Sequence, residues 1–234
     1  GLCGSDLPRI FNNGSHYYPI TLGHEFSGRV EKYGEGITDL KKGDNVVCVP
    51  LMPCFSCPEC QKGIWSLCQH YNFVGSRRDG GFSEYIVVNR KNLFLLPPDT
   101  ASVEAAFIEP ITVGLHAFQL AKGCKDKNVI IIGAGTIGLL AMQCALALGA
   151  ISVTAIVINP DKLALAATLG ATHTFNSGEI IADQMRALLD HARFYQPILE
   201  TAGVPATVAF VIELSGSRHP LALVGALHNY LRLS

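Results

Sequence analysis

The feature that most constrains this chain is a glycine-rich run between an apolar strand and a helix. The strand-like segment Val129–Ile132 leads into the pattern G-x-G-x-x-G at residues 133–138, and a helix is expected at Leu139–Leu148. Glycines in this context allow a tight turn and a close approach of the backbone to a pyrophosphate at the helix N-terminus. The run therefore predicts a βαβ dinucleotide-binding unit. Its expected cofactor-binding residues are Gly133, Gly135, Thr136, Ile137 and Gly138.

Strands and helices continue to alternate towards the end of the chain. Further strand-like runs cover residues 152–158, 172–175, 197–201 and 221–225, and helices are expected at 162–169, up to His191, and at 206–214. With Val129–Ile132 this makes five strands, whereas a doubly wound parallel sheet of this kind usually has about six. The chain also begins at Gly1 without Met and ends soon after a strand-like run. We therefore interpret it as part of a longer protein.

The residue expected to decide between NAD and NADP is missing. The dinucleotide fingerprint places Asp or Glu after the second strand to bind the adenosine ribose hydroxyls, but this chain has Val157 there. Asn159 or Asp161 is near enough in sequence to substitute, although Asp161 also suits the start of a helix. No Arg lies nearby to hold a 2′-phosphate. We expect NAD, and the sequence leaves NADP open.

Four cysteines lie in one short segment with the pattern C-x2-C-x2-C-x7-C. They are Cys54, Cys57, Cys60 and Cys68. Two-residue gaps let neighbouring thiolates converge on one ion, which favours a structural zinc site. An iron–sulfur cluster is one alternative, but its common bacterial pattern has the fourth Cys sooner and followed by Pro, whereas Gln69 follows here. Disulfides are the other alternative, and they require an oxidising compartment.

A second candidate metal site is dispersed along the chain. His24 and Glu25 are adjacent, with Cys3 upstream and Glu109 downstream. One Cys, one His and one acid form the three-ligand pattern with an open position that is typical of catalytic zinc. Glu109 lies in an otherwise apolar run, where a carboxylate is costly unless it is paired or binds a metal. The competing interpretations are a solvated His24–Glu25 pair and a buried Cys3 in a turn.

The local structure around these residues is expected to be short strands and an interrupted helix. Asn45–Val49 and Phe82–Val88 alternate in the manner of half-buried strands. Ser102–Ala121 predicts a helix that begins at Ser102 as its N-cap. Pro110 should kink or break that helix.

A longer pattern around His24 carries a family resemblance. The run Gly23-His24-Glu25-x-x-Gly28-x5-Gly34-x-x-Ile37 resembles the signature of zinc-containing alcohol dehydrogenases, the medium-chain dehydrogenase/reductase family. The resemblance implies an α/β protein with a GroES-like β-barrel catalytic domain and a Rossmann doubly wound parallel sheet, both truncated here. We place the catalytic domain at residues 1–113, with a zinc lobe at about 53–69, and the Rossmann domain at 114–234.

The resemblance also implies roles for individual residues. Cys3, His24 and Glu109 are the implied ligands of a catalytic zinc, as polyol dehydrogenases resemble this chain in having Glu at the third position. Ser5 is the implied contact of the substrate hydroxyl, and Glu25 a neighbour that can exchange onto the metal. The four cysteines of the lobe imply a structural zinc, so that two zinc ions per chain are expected. Relatives pair through the Rossmann domain, which implies a homodimer or homotetramer.

Three arginines are candidates for substrate binding. Arg9 lies at an offset from Cys3 that carries a substrate-contacting side chain in sorbitol dehydrogenases, and Arg77 and Arg78 precede a turn. The resemblance implies a small polyol phosphate that is oxidised at a CH–OH group, and because Arg can bind phosphate in a bidentate manner, these arginines are the candidates to hold the phosphate. Pro8 stands where the family often has a proton-relaying His. Alternatives are a sorbitol, threonine or butanediol dehydrogenase, and a non-catalytic zinc-binding relative.

Composition excludes two classes of partner. A formal net charge of −1 gives no electrostatic basis for binding nucleic acid or an anionic membrane. No apolar run approaches the roughly 18 residues of a membrane span, and no signal peptide is visible. We expect a cytoplasmic enzyme with reduced cysteines.

Overall fold

The computed structural model describes residues 1–179, 196–215 and 219–225. It divides into two compact units, Gly1–Glu109 and Pro110–Ser234, close to the expected boundary after residue 113. The helix predicted to end at His191 lies outside the described residues. Within the described residues, no helix combines the length and apolarity needed to cross a bilayer.

The first unit is built from short strands and short helices. In chain order its elements are α1 (Asp6–Phe11), β1 (Ser27–Arg29), β2 (Asn45–Cys48), β3 (Leu51–Met52), α2 (Pro58–Gln61), β4 (Asn72–Phe73), β5 (Leu93–Leu95) and α3 (Ser102–Ala105), with 3-10 turns at Trp65–Leu67 and Arg90–Asn92. Strands β1, β2 and β5 form an antiparallel sheet with β2 in the middle, and β3 pairs with β4. The predicted strand at Asn45–Val49 is confirmed as β2.

The core of the first unit lies under this three-stranded sheet. Val30, Leu40 and Val46 are buried together, and Ile37 and Leu93 pack against them. Alternation explains the arrangement, because successive side chains of a strand point to opposite faces. Three of these five core residues, Val30, Ile37 and Leu40, come from the loop after β1, and the other two come from strands.

The predicted strand at Phe82–Val88 is wrong. The segment forms bends and irregular backbone, with Tyr85 75% and Val87 84% exposed. Alternation alone does not make a strand, because a ladder also needs a partner for its N–H and C=O groups. In the described part of the chain, no strand pairs with these residues.

The predicted helix at Ser102–Ala121 is two helices. The first, α3, ends at Ala105, and α4 spans Ile108–Leu120. Ala101 is the N-cap and Ser102 the first helical residue, so the N-cap prediction is wrong. Pro110 lies in the first turn of α4, where a missing N–H costs little, and its ring would clash with the carbonyl of Ala106 in a continuous helix. The interruption therefore precedes the proline by several residues.

The second unit contains a five-stranded parallel sheet flanked by helices. Besides α4 its elements are β6 (Asn128–Ile132), α5 (Thr136–Ala147), β7 (Ser152–Val157), α6 (Pro160–Thr168), β8 (His173–Asn176), β9 (Ile198–Glu200), α7 (Pro205–Ser215) and β10 (Leu221–Leu223). The strand order is β10-β9-β6-β7-β8, which confirms the five predicted strands. The order places β6, and the glycine-rich run that follows it, at the middle of the sheet.

Strand β6 is buried on both faces. Val129 and Ile131 belong to one apolar cluster, whereas Ile130 and Ile132 belong to another. Two-sided burial explains why this strand is a continuous apolar run and not an alternating one.

Candidate functional site

Three of the predicted metal-site residues converge in the first unit. Ligand atoms of Cys3, His24 and Glu25 all lie within 4.8 Å of one another. His24 and Glu25 are buried, and Cys3 is half-buried. Sulfur, imidazole nitrogen and carboxylate oxygen are the donors that zinc prefers, so this group fits a zinc ion chemically. The structure thus joins Cys3 and His24 although they are far apart in sequence.

The start of α1 fixes Cys3 and brings a buried acid to the same place. The Cys3 amide donates to Asp6 Oδ2 at 3.2 Å, and the Asp6 amide donates to the Cys3 carbonyl at 3.0 Å. Asp6 has no exposed surface, and its Oδ1 lies 3.6 Å from His24 Nδ1. His24 Nδ1 is itself buried without a hydrogen bond inside the described structure. A carboxylate facing the second nitrogen of a metal-binding His is a common way to orient the ring.

Asp6 is not among the residues predicted from the sequence to act in the site. The signal that could have found it is the spacing Cys3-x-x-Asp6. An acid in the first turn of a helix can accept a hydrogen bond from the backbone amide three residues earlier, and here that amide belongs to a candidate ligand.

Packed glycines hold the His24–Glu25 segment in place. Gly23 has a φ of +99°, and a Cβ on it would lie 2.7 Å from the Phe82 ring. A Cβ on Gly80 would lie 2.3 Å from the Gly23 carbonyl oxygen, which itself accepts a hydrogen bond from Gly81 at 2.9 Å. The Gly23 position needs glycine both for its left-handed backbone and for this contact. Loop 79–82 therefore forms the support beneath His24.

Ser5 and Arg9 extend the cluster along α1. Ser5 Oγ donates to Cys3 Sγ at 3.3 Å, so the hydroxyl lies beside a candidate ligand. Arg9 Nη1 donates to the Ser5 carbonyl at 2.8 Å, to Ser5 Oγ at 3.0 Å and to Asp6 Oδ1 at 3.3 Å. One guanidinium nitrogen therefore links the serine with the acid that faces His24.

The expected role of Glu109 as a ligand beside Cys3 and His24 stays a prediction. Its carboxylate is not in the set of atoms that lie within 4.8 Å of one another, where Glu25 is found instead. Glu109 is half-buried at the start of α4. Burial raises the pKa of its carboxyl group, and Glu25 raises it further while His24 lowers it. It thus shares an electrostatic environment with the cluster.

The other two predicted arginines make their side-chain contacts elsewhere. Arg77 is exposed and stacks on the Tyr71 ring at 4.5 Å. Arg78 donates to Met52 Sδ at 3.5 Å and to the Val87 carbonyl at 3.4 Å. Only Arg9, among the three predicted arginines, contacts residues next to the cluster.

The four cysteines of the lobe form a second cluster of possible metal ligands. The sulfurs of Cys54, Cys57, Cys60 and Cys68 all lie within 4.8 Å of one another, and all eight cysteines of the chain are free. The Cys54 and Cys60 sulfurs are 4.0 Å apart. That is far longer than a disulfide and close to the roughly 3.8 Å edge of a tetrahedron with Zn–S bonds of about 2.3 Å.

Backbone amides around the lobe favour thiolates. The Cys57 amide donates to Cys54 Sγ at 3.3 Å, and the Cys54 amide donates to Cys68 Sγ at 3.3 Å. The Ser56 hydroxyl also donates to Cys54 Sγ, and the hydrogen bonds from Ser56 and from the Cys57 amide lower the pKa of the Cys54 thiol to about 5. Burial raises the pKa of Cys60 to about 12. The donor set and spacing fit a four-thiolate zinc site.

The glycine-rich turn of the second unit has the predicted geometry. Gly133 has a φ of +97°, and a Cβ on it would lie 2.8 Å from the Ala202 amide nitrogen. A Cβ on Gly138 would lie 2.0 Å from the Gly133 carbonyl oxygen, whereas one on Gly135 would meet nothing within 4 Å. Gly135 is the N-cap of α5. Gly133 and Gly138 are therefore needed because a side chain would clash at these positions, whereas Gly135 leaves open space beside the backbone.

The remaining predicted cofactor residues follow at the helix start. Thr136 is exposed and Ile137 half-buried in the first turn of α5. At the end of β7, Val157 is half-buried and Ile158 is 70% exposed. The Asn159 side chain accepts a hydrogen bond from the Lys162 amide at 3.1 Å, so it caps α6. Asp161 lies in the first turn of that helix, which is the role the sequence favours for it.

Comparison with known proteins gives both halves of the chain the same family. Residues 1–98 match the alcohol dehydrogenase GroES-like domain, and residues 136–234 match the zinc-binding dehydrogenase domain. The whole chain is 66% identical to galactitol 1-phosphate 5-dehydrogenase of Escherichia coli strain K12 and spans 68% of that enzyme's length.

Solved structures agree with this assignment. Galactitol-1-phosphate dehydrogenase from Escherichia coli matches the whole chain at 66% identity and a TM-score of 0.96, with 68% of that chain covered. A zinc-binding dehydrogenase from Sinorhizobium meliloti 1021, solved with NADP, also matches the whole chain at 33% identity and a TM-score of 0.90, with 70% of it covered. The chain therefore belongs to the zinc-binding alcohol dehydrogenase family of oxidoreductases, which join a GroES-like domain to a Rossmann-like parallel sheet.

Proposed function

We propose that this chain oxidises the C5 hydroxyl of galactitol 1-phosphate with NAD. The observation that carries the proposal is the identity of 66% along the whole chain with galactitol 1-phosphate 5-dehydrogenase. The oxidation removes a hydride from C5 and a proton from its hydroxyl, which leaves a ketone. Numbered from the end nearer that ketone, the product is tagatose 6-phosphate.

Cys3, His24 and Glu109 are the proposed ligands of a catalytic zinc, with Glu25 beside them as a carboxylate that exchanges with one of them. The close approach of Cys3, His24 and Glu25 supports the first two ligands. The half-buried Glu109, whose pKa responds to both His24 and Glu25, supports the third. A zinc ion bound there would polarise the substrate alcohol and lower its pKa.

Ser5 is the proposed relay for the hydroxyl proton. Its Oγ is held between Cys3 Sγ and Arg9 Nη1, so its position beside the ligands is fixed. Ser5 is exposed, so Oγ accepts the substrate proton and releases its own to water. Pro8 stands where relatives often have His, and this exit does not need an imidazole.

Arg9 is the proposed phosphate-binding residue. All three side-chain hydrogen bonds of Arg9 within the described structure come from Nη1, which leaves the Nε–Nη2 edge for an incoming group. A guanidinium edge of two N–H donors matches two phosphate oxygens. Arg77 or Arg78 is the proposed second cation, supported by exposure in the first case and partial exposure in the second.

The glycine-rich turn is the proposed site of the cofactor pyrophosphate, with NAD preferred. Gly135 leaves room for a backbone approach, and the N-terminus of α5 favours a negative charge. The bound nicotinamide supplies the hydride acceptor. Val157 offers neither an acid for the ribose nor a cation for a 2′-phosphate, so the preference has to come from neighbouring groups. The ratio of kcat/KM for NAD and NADP measures it.

The four-cysteine lobe is the proposed site of a second, structural zinc. Its short helix α2 and single 3-10 turn bury little besides the cysteines themselves. A metal then supplies folding free energy that the lobe cannot obtain from a core. A cytoplasmic location is proposed, and it is supported by the reduced thiolates that this site needs. A homodimer or homotetramer is proposed for the assembly, to be measured by light scattering.

Substrate comparison on the full-length protein tests the proposed activity. NADH formation is measured with galactitol 1-phosphate, free galactitol, sorbitol, L-threonine and 2,3-butanediol. We expect kcat/KM for galactitol 1-phosphate to exceed the others by at least about a hundredfold, because a site built for a charged group loses that interaction with a neutral polyol. Equal or faster turnover of sorbitol, threonine or butanediol would overturn the proposal, and no turnover of any of them would favour a non-catalytic relative.

A further inference from the structure

One ionisable side chain in the second unit is fully buried and has no part in the proposed reaction. Glu200 is the last residue of β9 and has no exposed surface. Burying a carboxylate is costly unless all its acceptor positions are satisfied. The position of Glu200 at the carboxyl end of a parallel strand is also the edge at which such sheets bind ligands.

The residues that immediately follow Glu200 satisfy its carboxylate. Oε1 accepts hydrogen bonds from the Ala202 amide at 2.9 Å, the Gly203 amide at 3.1 Å and the Thr207 hydroxyl at 2.8 Å. Oε2 accepts from the Gly203 amide at 3.2 Å. A Cβ on Gly225 would lie 2.7 Å from Oε2 and 2.2 Å from the Gly203 nitrogen, so a glycine there makes room for the carboxylate. Segment 201–207 thus supplies the hydrogen-bond donors to the buried Glu200 carboxylate.

The segment held by Glu200 is the one against which the glycine-rich turn packs. The Thr201 hydroxyl donates to the carbonyls of Ile132 at 2.9 Å and Gly133 at 3.0 Å. The Thr201 amide also donates to the Ile132 carbonyl at 2.8 Å. Added Cβ atoms on Gly133 and Gly138 would each lie 2.8 Å from Thr201 Oγ1. A displacement of Thr201 and Ala202 would therefore also displace the glycine-rich turn.

We infer that Glu200 is a positioning residue for the dinucleotide, acting through the backbone of Thr201–Gly203 on the Gly133–Gly138 turn. The inference rests on the proposed function, since it assumes that this turn holds the cofactor. A carboxylate is needed because the Ala202 and Gly203 amides that face its two oxygens can only donate. A Gln in its place would turn an NH2 donor toward an N–H or an O–H, so the segment would have to move to satisfy its hydrogen bonds.

The test compares Glu200→Gln with wild type in the full-length protein. We expect Glu200→Gln to raise the Kd for NADH, read from nicotinamide fluorescence, by about tenfold, the usual range of coupling between neighbouring groups. The KM for NAD should rise by a similar factor while kcat at saturating NAD stays within about twofold. Glu213→Gln, the same change at an exposed position of α7, is the matched control and should leave Kd unchanged.

A second variant covers the case in which Glu200→Gln does not fold. Thr207→Val removes one donor and leaves the carboxylate in place, and it should raise the NADH Kd by about threefold. A purely structural role for Glu200 would lower Tm in both variants and leave Kd and KM for NAD at the wild-type values, which overturns the inference. Wild-type protein that fails to bind NADH would instead overturn the proposed function.

Discussion

Asp6 lies between His24, a proposed zinc ligand, and Arg9, the proposed phosphate-binding residue. Its Oδ1 lies 3.6 Å from His24 Nδ1 and 3.3 Å from Arg9 Nη1. A carboxylate in this position sets the orientation of the imidazole, and the arginine in turn orients the carboxylate. The buried acid is therefore part of the proposed metal centre, although it is not one of its proposed ligands.

Replacing Asp6 by Asn should weaken zinc binding at Cys3 and His24. The shape is kept and the charge lost, and such neighbours of metal-binding His residues typically change affinity by about 10–100-fold. Competition with a coloured chelator measures this affinity, and the zinc of the four-cysteine lobe serves as an internal reference. Asp39→Asn is the matched control, because Asp39 forms an exposed ion pair with Arg90. Equal zinc affinity in the two variants would contradict the role of Asp6.

Replacing Arg9 by Gln should reduce the preference for phosphorylated substrate. Loss of a charge-assisted hydrogen bond is worth roughly 1.5–3 kcal/mol, so the ratio of kcat/KM for galactitol 1-phosphate over free galactitol should fall by about 10–100-fold. Arg29→Gln, at an exposed strand position, controls for a general change of charge. An unchanged ratio would reject Arg9 and direct attention to Arg77 and Arg78.

Single residues also mark where sequence patterns stop being informative. The spacing of cysteines in the lobe predicts their convergence, because all four lie in one short segment. Which carboxylates lie beside Cys3 and His24 depends on tertiary packing, which no local pattern encodes. Asp6 looks like an ordinary acid at a helix start until its burial is known.

At the scale of elements, the glycine-rich turn contains one glycine that is required for packing and another that is proposed to serve cofactor binding. A Cβ on Gly138 would lie 2.0 Å from the Gly133 carbonyl oxygen, whereas a Cβ on Gly135 would meet nothing. Gly138→Ala should therefore cost about 1–3 kcal/mol of stability. Gly135→Ala should change stability by less than about 0.5 kcal/mol but weaken NADH binding, since the added methyl would stand in the proposed path of the pyrophosphate.

Thermal unfolding and a fluorescence titration with NADH measure the two effects separately. Wild-type NADH affinity in Gly135→Ala would contradict the placement of the pyrophosphate at this turn. A wild-type Tm in Gly138→Ala would contradict the close packing of α5 on the end of β6.

The elements that could be predicted are those specified by local sequence. The strands of the parallel sheet are apolar runs with clear ends, and they appear within a residue or two of their predicted bounds. Phe82–Val88 alternates as well as β2 does, but strand formation also requires a partner strand, whose position in the chain the local pattern does not specify. The helix is interrupted before α4 and not at Pro110 as the sequence pattern predicts, because the steric effect of Pro110 falls on Ala106, one turn upstream.

At the scale of the whole molecule, the chain divides its chemistry between two units. The eight free cysteines include one beside His24, four in the lobe and three buried elsewhere, at Cys48, Cys124 and Cys144. Burial raises the pKa of Cys48 to about 12 and also raises those of Cys124 and Cys144. Within the described residues, these three lie outside both groups of converging ligand atoms. Both proposed zinc sites therefore belong to the first unit.

This division predicts how metal content responds to single substitutions. Full-length protein should contain two zinc ions per chain by mass spectrometry. His24→Asn should remove one ion and the activity while the lobe remains resistant to protease. Cys57→Ser should remove the other ion and expose residues 53–69 to cleavage, because the lobe has too small a core to fold without it. Brown protein with iron in place of zinc would instead support the iron–sulfur alternative, and one zinc in the wild type would show that only one of the two clusters binds metal.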